Sequence, residues 1–315
     1  MILAKYAHTQ KPARNAGQLG FKKLLFLGLF WLPTPLLAWG DLGHEIIAGI
    51  AWNFLTPESK SHLTTLLHDD QTALTPPDPI LVSIWADRWR EDTDSTGHNH
   101  FQQTHLWHFI DLERTHPDLA DACYNHPALT APNEASNGPE NDCIIDKIQQ
   151  FLTELNAYQK NLEPKPTRQE AQMAVKFIMH FVGDLHQPLH AITDHDRGGN
   201  NKKVRLPGSH GGSLHHYWDT TFVEQLGSDP VLIAHQLSAQ ITPNNIQHWQ
   251  AGTLNDWAME SFQTAITWAY DPLPPPNEAG NYLLTQDYAA QAQHIISLQL
   301  EEAGIRLAYL LNKNL

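Results

Sequence analysis

Cysteine is nearly absent from the 315 residues: Cys123 and Cys143 are the whole complement, without CxxC spacing or a third thiol. A closed, thiolate-rich metal site is therefore excluded. The two lie in one short polar segment and, in an oxidising compartment, read as a loop-closing disulfide in preference to a metal pair. No N-x-[ST] sequon occurs, so nothing marks the chain for N-glycosylation. Cations are scarce as well, 20 Lys and Arg against 34 Asp and Glu, for a net charge of -14. So acidic a chain gets no general electrostatic help in finding a polyanion, which counts against a nucleic-acid partner unless the site carries its own positive charge. Internal repeats, low-complexity tracts and dividing linkers are missing too.

A long apolar run is also lacking. LLFLGLFWLPTPLLA, from Leu24 to Ala38, is broken by Pro33 and Pro35, and it is too short to span ~30 Å of hydrocarbon at ~1.5 Å per residue. Behind Lys5, Lys11, Arg14, Lys22 and Lys23, with no acid before it, the run reads as the end of a secretory signal over 1–38 with a long basic leader. An uncleaved membrane anchor is the alternative. Cleavage after Ala38 would make Trp39 the mature N-terminus, take the charge from -14 to -19 through the loss of five cations, and imply a secreted or periplasmic protein with no stable membrane anchor. No protein partner is evident.

What remains, 39–315, reads as one all-α domain: mainly helical, with long loops and a minor β element. HEIIAGIAWNFL opens it. Thr56 before Pro57, and Asp229 before Pro230, read as N-caps with proline in the first helical position. Thr167 with Glu170 has the spacing of a capping box at the head of RQEAQMAVKFIMHFVGDLH. LNDWAMESFQTAITWAY and the closing AAQAQHIISLQLEEAGIRLAYLL have helical spacing. Residues 111–142 read as a long excursion, and 194–213 as a loop with one short strand at KVRLP.

The stretch HFVGDLHQPLH holds the densest chemistry. At ~100° per residue His180 and Asp184 lie one turn apart on one face and can reach one ion. His186 points elsewhere, and Pro188 ends the helix and releases His190. A single HxxxD is more often a hydrogen-bonded surface pair, but SLHHYWDTTF repeats the spacing with His215 and Asp219. Two helices that each present His and Asp inward are how helical bundles build multi-metal sites. His216 faces another way. SIWADRWR adds Asp87 with Arg90, and LWHFID adds His108 in an apolar stretch. Taken singly, Asp87 reads as the partner of Arg88 or Arg90, and His108 as a satisfied core histidine. In WGDLGHE a free Trp39 amine and its carbonyl can chelate a metal, with His44 five residues on. His62, His68, His98, His100 and His105 read as surface or supporting residues.

WG with a histidine five residues after the Trp, WADxxR, WHFID, HFVGDLHQPLH, DRGGN and LHHYWD occur in the order found in the zinc-dependent S1/P1 nucleases. The chain resembles that family over essentially its whole mature length, and more distantly the bacterial zinc phospholipases C. The resemblance implies a cleft with three zinc ions. Asp87, His108, His180 and Asp184 would hold one; Trp39, His44 and Asp184 a second; His190, His215 and Asp219 the third. His and carboxylate ligands without cysteine suit catalytic zinc, and three such ions put positive charge where the chain lacks it.

By the same resemblance Asp87 orients the attacking water and Arg90 neutralises charge on the phosphate, although Arg90 paired only with Asp87 is an open alternative. The expected function is zinc-dependent hydrolysis of single-stranded DNA and RNA to 5′-phosphate products, with 3′-nucleotidase activity in addition. Phe109 is the candidate stacking platform for a base, with core packing as its alternative. Thr220 stands where fungal and plant members have an asparagine that contacts the base, which leaves base preference open. A phospholipase C acting on phosphodiester lipids and a non-catalytic zinc-binding protein are the competing readings.

Overall fold

Helix α1 (Asp41–Phe54) is followed by α2 (Pro57–Leu67), α3 (Trp85–Glu91) and two short turns, α4 (Phe101–Thr104) and α5 (Leu119–Ala122). The long α6 (Ile144–Gln159) and α7 (Arg168–Leu185) lead to the short α8 (Leu214–His216). Then come α9 (Pro230–Ser238), α10 (Pro243–Trp249), α11 (Leu254–Thr264) and α12 (Gln286–Asn314). The structure is a computed structural model that describes residues 39–315 apart from 73, 94–95, 98 and 124–133. The expected signal at 1–38, His98 and part of the long excursion thus lie outside the described residues. Among those described, no helix is long and apolar enough to cross a membrane.

The helix starts follow local chemistry. Thr56 Oγ1 accepts from Ser59 N, and the Asp229 carboxylate accepts from Val231 N and Leu232 N. Thr167 Oγ1 accepts from Glu170 N, but the capping box does not close. The Glu170 carboxylate turns away to accept from Ser136 N (3.1 Å) and Ser136 Oγ (2.8 Å), which fixes the returning end of the excursion against α7.

Helix α7 runs through the core. Every residue from Glu170 to Leu185 is buried, as suits a helix surrounded by others. Helix α6 packs along it, and α1, α3 and α12 cover its remaining sides, while α1 also crosses α12 and α9. Phe151 stacks on Phe177 at 4.7 Å, and Trp107 and Trp85 meet Phe177 edge-on, so aromatic packing backs the elements that carry polar groups inward. Cys123 and Cys143 form a disulfide at the head of α6.

The β element is larger than KVRLP predicts. Strand β1 (Lys203–Arg205) pairs antiparallel with β2 (Gly212–Ser213) and parallel with β3 (Tyr282–Leu283), in the order β2-β1-β3. Its two partners are too short to show alternation in sequence. The segment holding His215 and Asp219 also departs from a plain α-helix: after α8 it widens into a π-turn over Tyr217–Thr221, with Phe222 N donating to Tyr217 O. Such widenings gather at functional sites.

Candidate metal centre

Helix α7 sets His180 and Asp184 on one face, with His180 Nε2 3.2 Å from Asp184 Oδ2. Three other elements converge on that pair. From α3, Asp87 Oδ1 comes within 3.5 Å of His180 Nε2. His108, at the end of a 3-10 turn, brings Nδ1 to 2.9 Å from Asp184 Oδ2 and 3.7 Å from Asp87 Oδ1. From α1, His44 stacks on His180 at 3.8 Å and sets Nε2 3.3 Å from the other Asp184 oxygen, Oδ1. Asp184 thus faces histidines from both of its oxygens, and all five side chains are buried.

A second convergence lies beside it. Pro188 opens a 3-10 turn that delivers His190, whose Nδ1 is 3.9 Å from Asp184 Oδ1 and whose Nε2 is 4.0 Å from Asp219 Oδ1. His215 Nε2 is 3.3 Å from Asp219 Oδ2, and the His190 and His215 rings stack at 5.0 Å. His44, Asp87 and His180, then His108, His180 and Asp184, then His190, His215 and Asp219 each place one ligand atom apiece within 4.8 Å of one another.

Backbone carbonyls orient three of these rings. His180 Nδ1 bonds Ser83 O (2.7 Å), His190 Nδ1 bonds His108 O (2.8 Å) and His215 Nδ1 bonds Gly198 O (2.7 Å). With Nδ1–H donated outward, each Nε2 faces the centre, as in metal-binding histidines. Sequence reasoning missed this outer layer. It missed Gln187 too, whose carboxamide donates to Asp219 Oδ1 and accepts from Leu189 N, so that Asp219 turns Oδ2 toward His215. The glycine of DRGGN was the available signal: Gly198 has φ +58, and a Cβ there would lie 2.3 Å from Leu189 O.

The centre is short of positive charge. His44 Nδ1, His108 Nε2 and His190 Nε2 are all buried without a hydrogen-bond partner. Such orphaned groups are costly unless something else binds them. Burial opposes protonation of His180, yet Asp184 and Asp87 outweigh it and push its pKa up to about 10. Burial and Arg90 pull His108 down to about 4, and burial with His190 pulls His215 down to about 3. His108 and His215 are thus held neutral, the proton that the carboxylates draw to His180 is one a cation would displace, and the imidazole nitrogens and clustered carboxylates form a donor set of N and O atoms that fits a divalent cation.

The other expected residues fall around this centre. Arg90 Nη2 lies 3.1 Å from Asp87 Oδ1 and its Nε 3.3 Å from Glu91, so the salt bridge read from sequence is present beside the histidines. Trp39 is fully buried and its indole Nε1 donates to Gly183 O, while Gly40 N donates to Asp219 O. The Trp39 indole and the Gly40 amide therefore tie this segment to the end of α7 and to the turn that holds Asp219. Phe109 and Thr220 are half-buried, each next to a candidate ligand in sequence. His186 points away, as expected, and His216 is exposed. Of the histidines read as surface or supporting residues, His100 is buried and stacked on Trp89 at 3.8 Å in the turn before α4.

Fold and site together define the class, a mainly helical protein built around clustered histidine and aspartate. The S1/P1 nuclease family profile matches residues 39–315, and the chain belongs to that family of nucleic-acid-cutting enzymes. It is 26% identical to Endonuclease 2 of Arabidopsis thaliana over 95% of this chain and 99% of that one. It is 27% identical to Nuclease S1 of Aspergillus oryzae over 86% and 89%. With Nuclease P1 of Penicillium citrinum it shares 28% over 87% and 97%.

Proposed function

We propose that the chain is a zinc-dependent endonuclease that hydrolyses phosphodiester bonds of single-stranded DNA and RNA, leaving 5′-phosphates, and acts on 3′-nucleotides at the same site. The observation that carries the reading is the set of buried histidine nitrogens and carboxylate oxygens converging on one another in a member of this family. Asp87, His108, His180 and Asp184 would hold one zinc ion. Trp39, through its amine and carbonyl, would hold a second with His44 and Asp184. His190, His215 and Asp219 would hold a third. The two-sided approach to Asp184 supports its sharing, although His44 is also grouped with Asp87 and His180.

Bound zinc would supply Lewis acidity and an acidified water at the scissile phosphate. Asp87, held by Arg90, orients the attacking water. Arg90 brings a permanent charge that neutralises charge developing on the phosphate. Phe109 offers a face on which an unpaired base stacks, a contact open to single strands and closed to paired bases. Thr220 replaces a carboxamide with a hydroxyl and so makes base recognition less directional.

Residues 1–38 would be a cleaved leader that directs a secreted or periplasmic protein and frees the Trp39 amine. The basic, acid-free leader and a family match that begins at residue 39 support this. The deciding experiment incubates protein beginning at Trp39 with single-stranded DNA, RNA and phosphatidylcholine in parallel, with and without chelator. Chelator-sensitive cutting of the nucleic acids, abolished in Asp184→Asn together with loss of bound zinc, is the expected result. Hydrolysis of the lipid with intact nucleic acid would sink the nuclease reading and leave a phospholipase.

A further inference from the structure

Helix α7 ends in the middle of the metal centre, and its end is tied down completely. A helix leaves its last four carbonyls without intrahelical partners. Here Val182 O takes His186 Nδ1 (2.7 Å), Gly183 O takes the Trp39 indole (2.9 Å), Asp184 O takes Gln187 N (3.0 Å) and Leu185 O takes Ser261 Oγ (2.6 Å). One of these ties extends much further. His186, fully buried, meets Arg306 Nη1 with its Nε2 at 2.9 Å. A guanidinium can only donate, so Nε2 must accept, and Nδ1 carries the proton that goes to Val182 O. The bond sequence is directional, from α12 through one imidazole into the last turn of α7.

Arg306 is itself held rigidly. It is 2% exposed, and its Nε donates to Trp249 O at 2.9 Å. Its Nη2 pairs with Glu260 and lies 3.4 Å from Glu302, and its guanidinium lies 4.8 Å from the Trp257 ring centre. A buried cation is weak evidence for stability, because well-packed apolar groups often serve as well. What this one does is aim a donor at the turn that presents Asp184 on one side of His186 and Gln187 on the other.

We propose that Arg306 is a positioning residue of the metal centre and acts through His186, fixing the angle at which α7 presents Asp184 and Gln187. This rests on the zinc reading above. Residues that hold metal ligands in place are worth ~10–100-fold in metal affinity or activity. The test compares wild type, Arg306→Met, His186→Phe and the double variant, each shown to be folded by circular dichroism. Zinc affinity is read by competition with a chromogenic chelator, and ligand geometry by the visible spectrum of the cobalt(II)-loaded protein.

Each single variant should bind zinc ~10–100-fold more weakly, with an altered cobalt spectrum, and the double variant should be no worse than the worse single. If Arg306→Met does not fold, His186→Gln, which keeps one donor and one acceptor, should lie between wild type and His186→Phe. Wild-type affinity and spectrum in folded His186→Phe would overturn the proposal, as would losses that add in the double variant. Because metal binding is read apart from cutting, a wild type that holds zinc but leaves nucleic acid intact would defeat only the nuclease reading.

Discussion

Two glycines decide whether the ligands fit. A Cβ on Gly183 would lie 2.9 Å from His44 Nδ1 and 3.2 Å from Ile47 Cδ1, and a Cβ on Gly43 would lie 2.9 Å from the Trp39 Cβ. Neither position needs left-handed backbone; each needs empty space. Gly183→Ala should therefore displace His44 from Asp184 and weaken zinc binding by ~10-fold or more, read by metal analysis after dialysis against a weak chelator. Unchanged metal content would mean that His44 is not a ligand. His180 with Asp184 and His215 with Asp219 were legible in the sequence because spacing on a helix is a local property, whereas Asp87 and His108 joined them only through the family resemblance. These glycines, Gln187 and the carbonyls behind the rings were not, since their role is to face residues far away in the chain. Arg90 shows the same limit: its spacing from Asp87 announced a salt bridge, and only the fold shows that the pair borders three histidines, His44, His108 and His180.

Among the elements, the caps written into the sequence at Thr56, Asp229 and Thr167 formed, since each is a contact within four residues. The capping box failed because Glu170 had a distant competitor in Ser136. That carboxylate lies beside Glu154 of α6, which accepts from Ala135 N at 2.6 Å. Burial and the Glu170 charge push Glu154 up to about 8, so the folded chain keeps a proton that the unfolded chain releases in the ordinary carboxylate range. Stability from this group is present in acid and lost as pH rises toward about 8. Glu154→Gln should thus melt progressively higher than wild type between about pH 5 and 8, in calorimetry. Lys147, Asp142 and Glu170 are common to both proteins, and a pH-independent difference would refute the assignment. At the crossing of α1 and α12, a Cβ on Gly304 would stand 2.4 Å from Ile50 Cγ2. Gly304→Ala should cost ~1–3 kcal/mol, the usual range for overpacking, in urea titrations.

The whole molecule has a net charge of -14 and encloses a centre that asks for cations. The candidate ligands come from α1, α3, α7, α8 and the turns beside them, so bound metal would cross-link elements that are remote in sequence. Chelation should lower the melting temperature of protein that begins at Trp39, since a ligand at 100 times its Kd stabilises by ~2.7 kcal/mol. A tag directly before Trp39 should reduce that difference, because an amide nitrogen is a poor ligand; an equal drop in tagged protein would remove Trp39 from the ligand set. The all-α architecture was legible from periodicity, whereas β2 and β3 were not, being fragments that exist only because β1 runs between them.

The joining of first and last helices has a consequence for synthesis. Thr56 N donates to Asn312 Oδ1 across 256 residues, and Asn312 Nδ2 donates to Phe54 O. At ~5–20 residues per second, α1 waits on the order of 10–50 s for the partner that covers it. Through that interval the core lacks the helix that packs on α1 and α7. The last element made is thus the one that closes over the first, and a chain cut short before α12 leaves α1 without the helix it packs on.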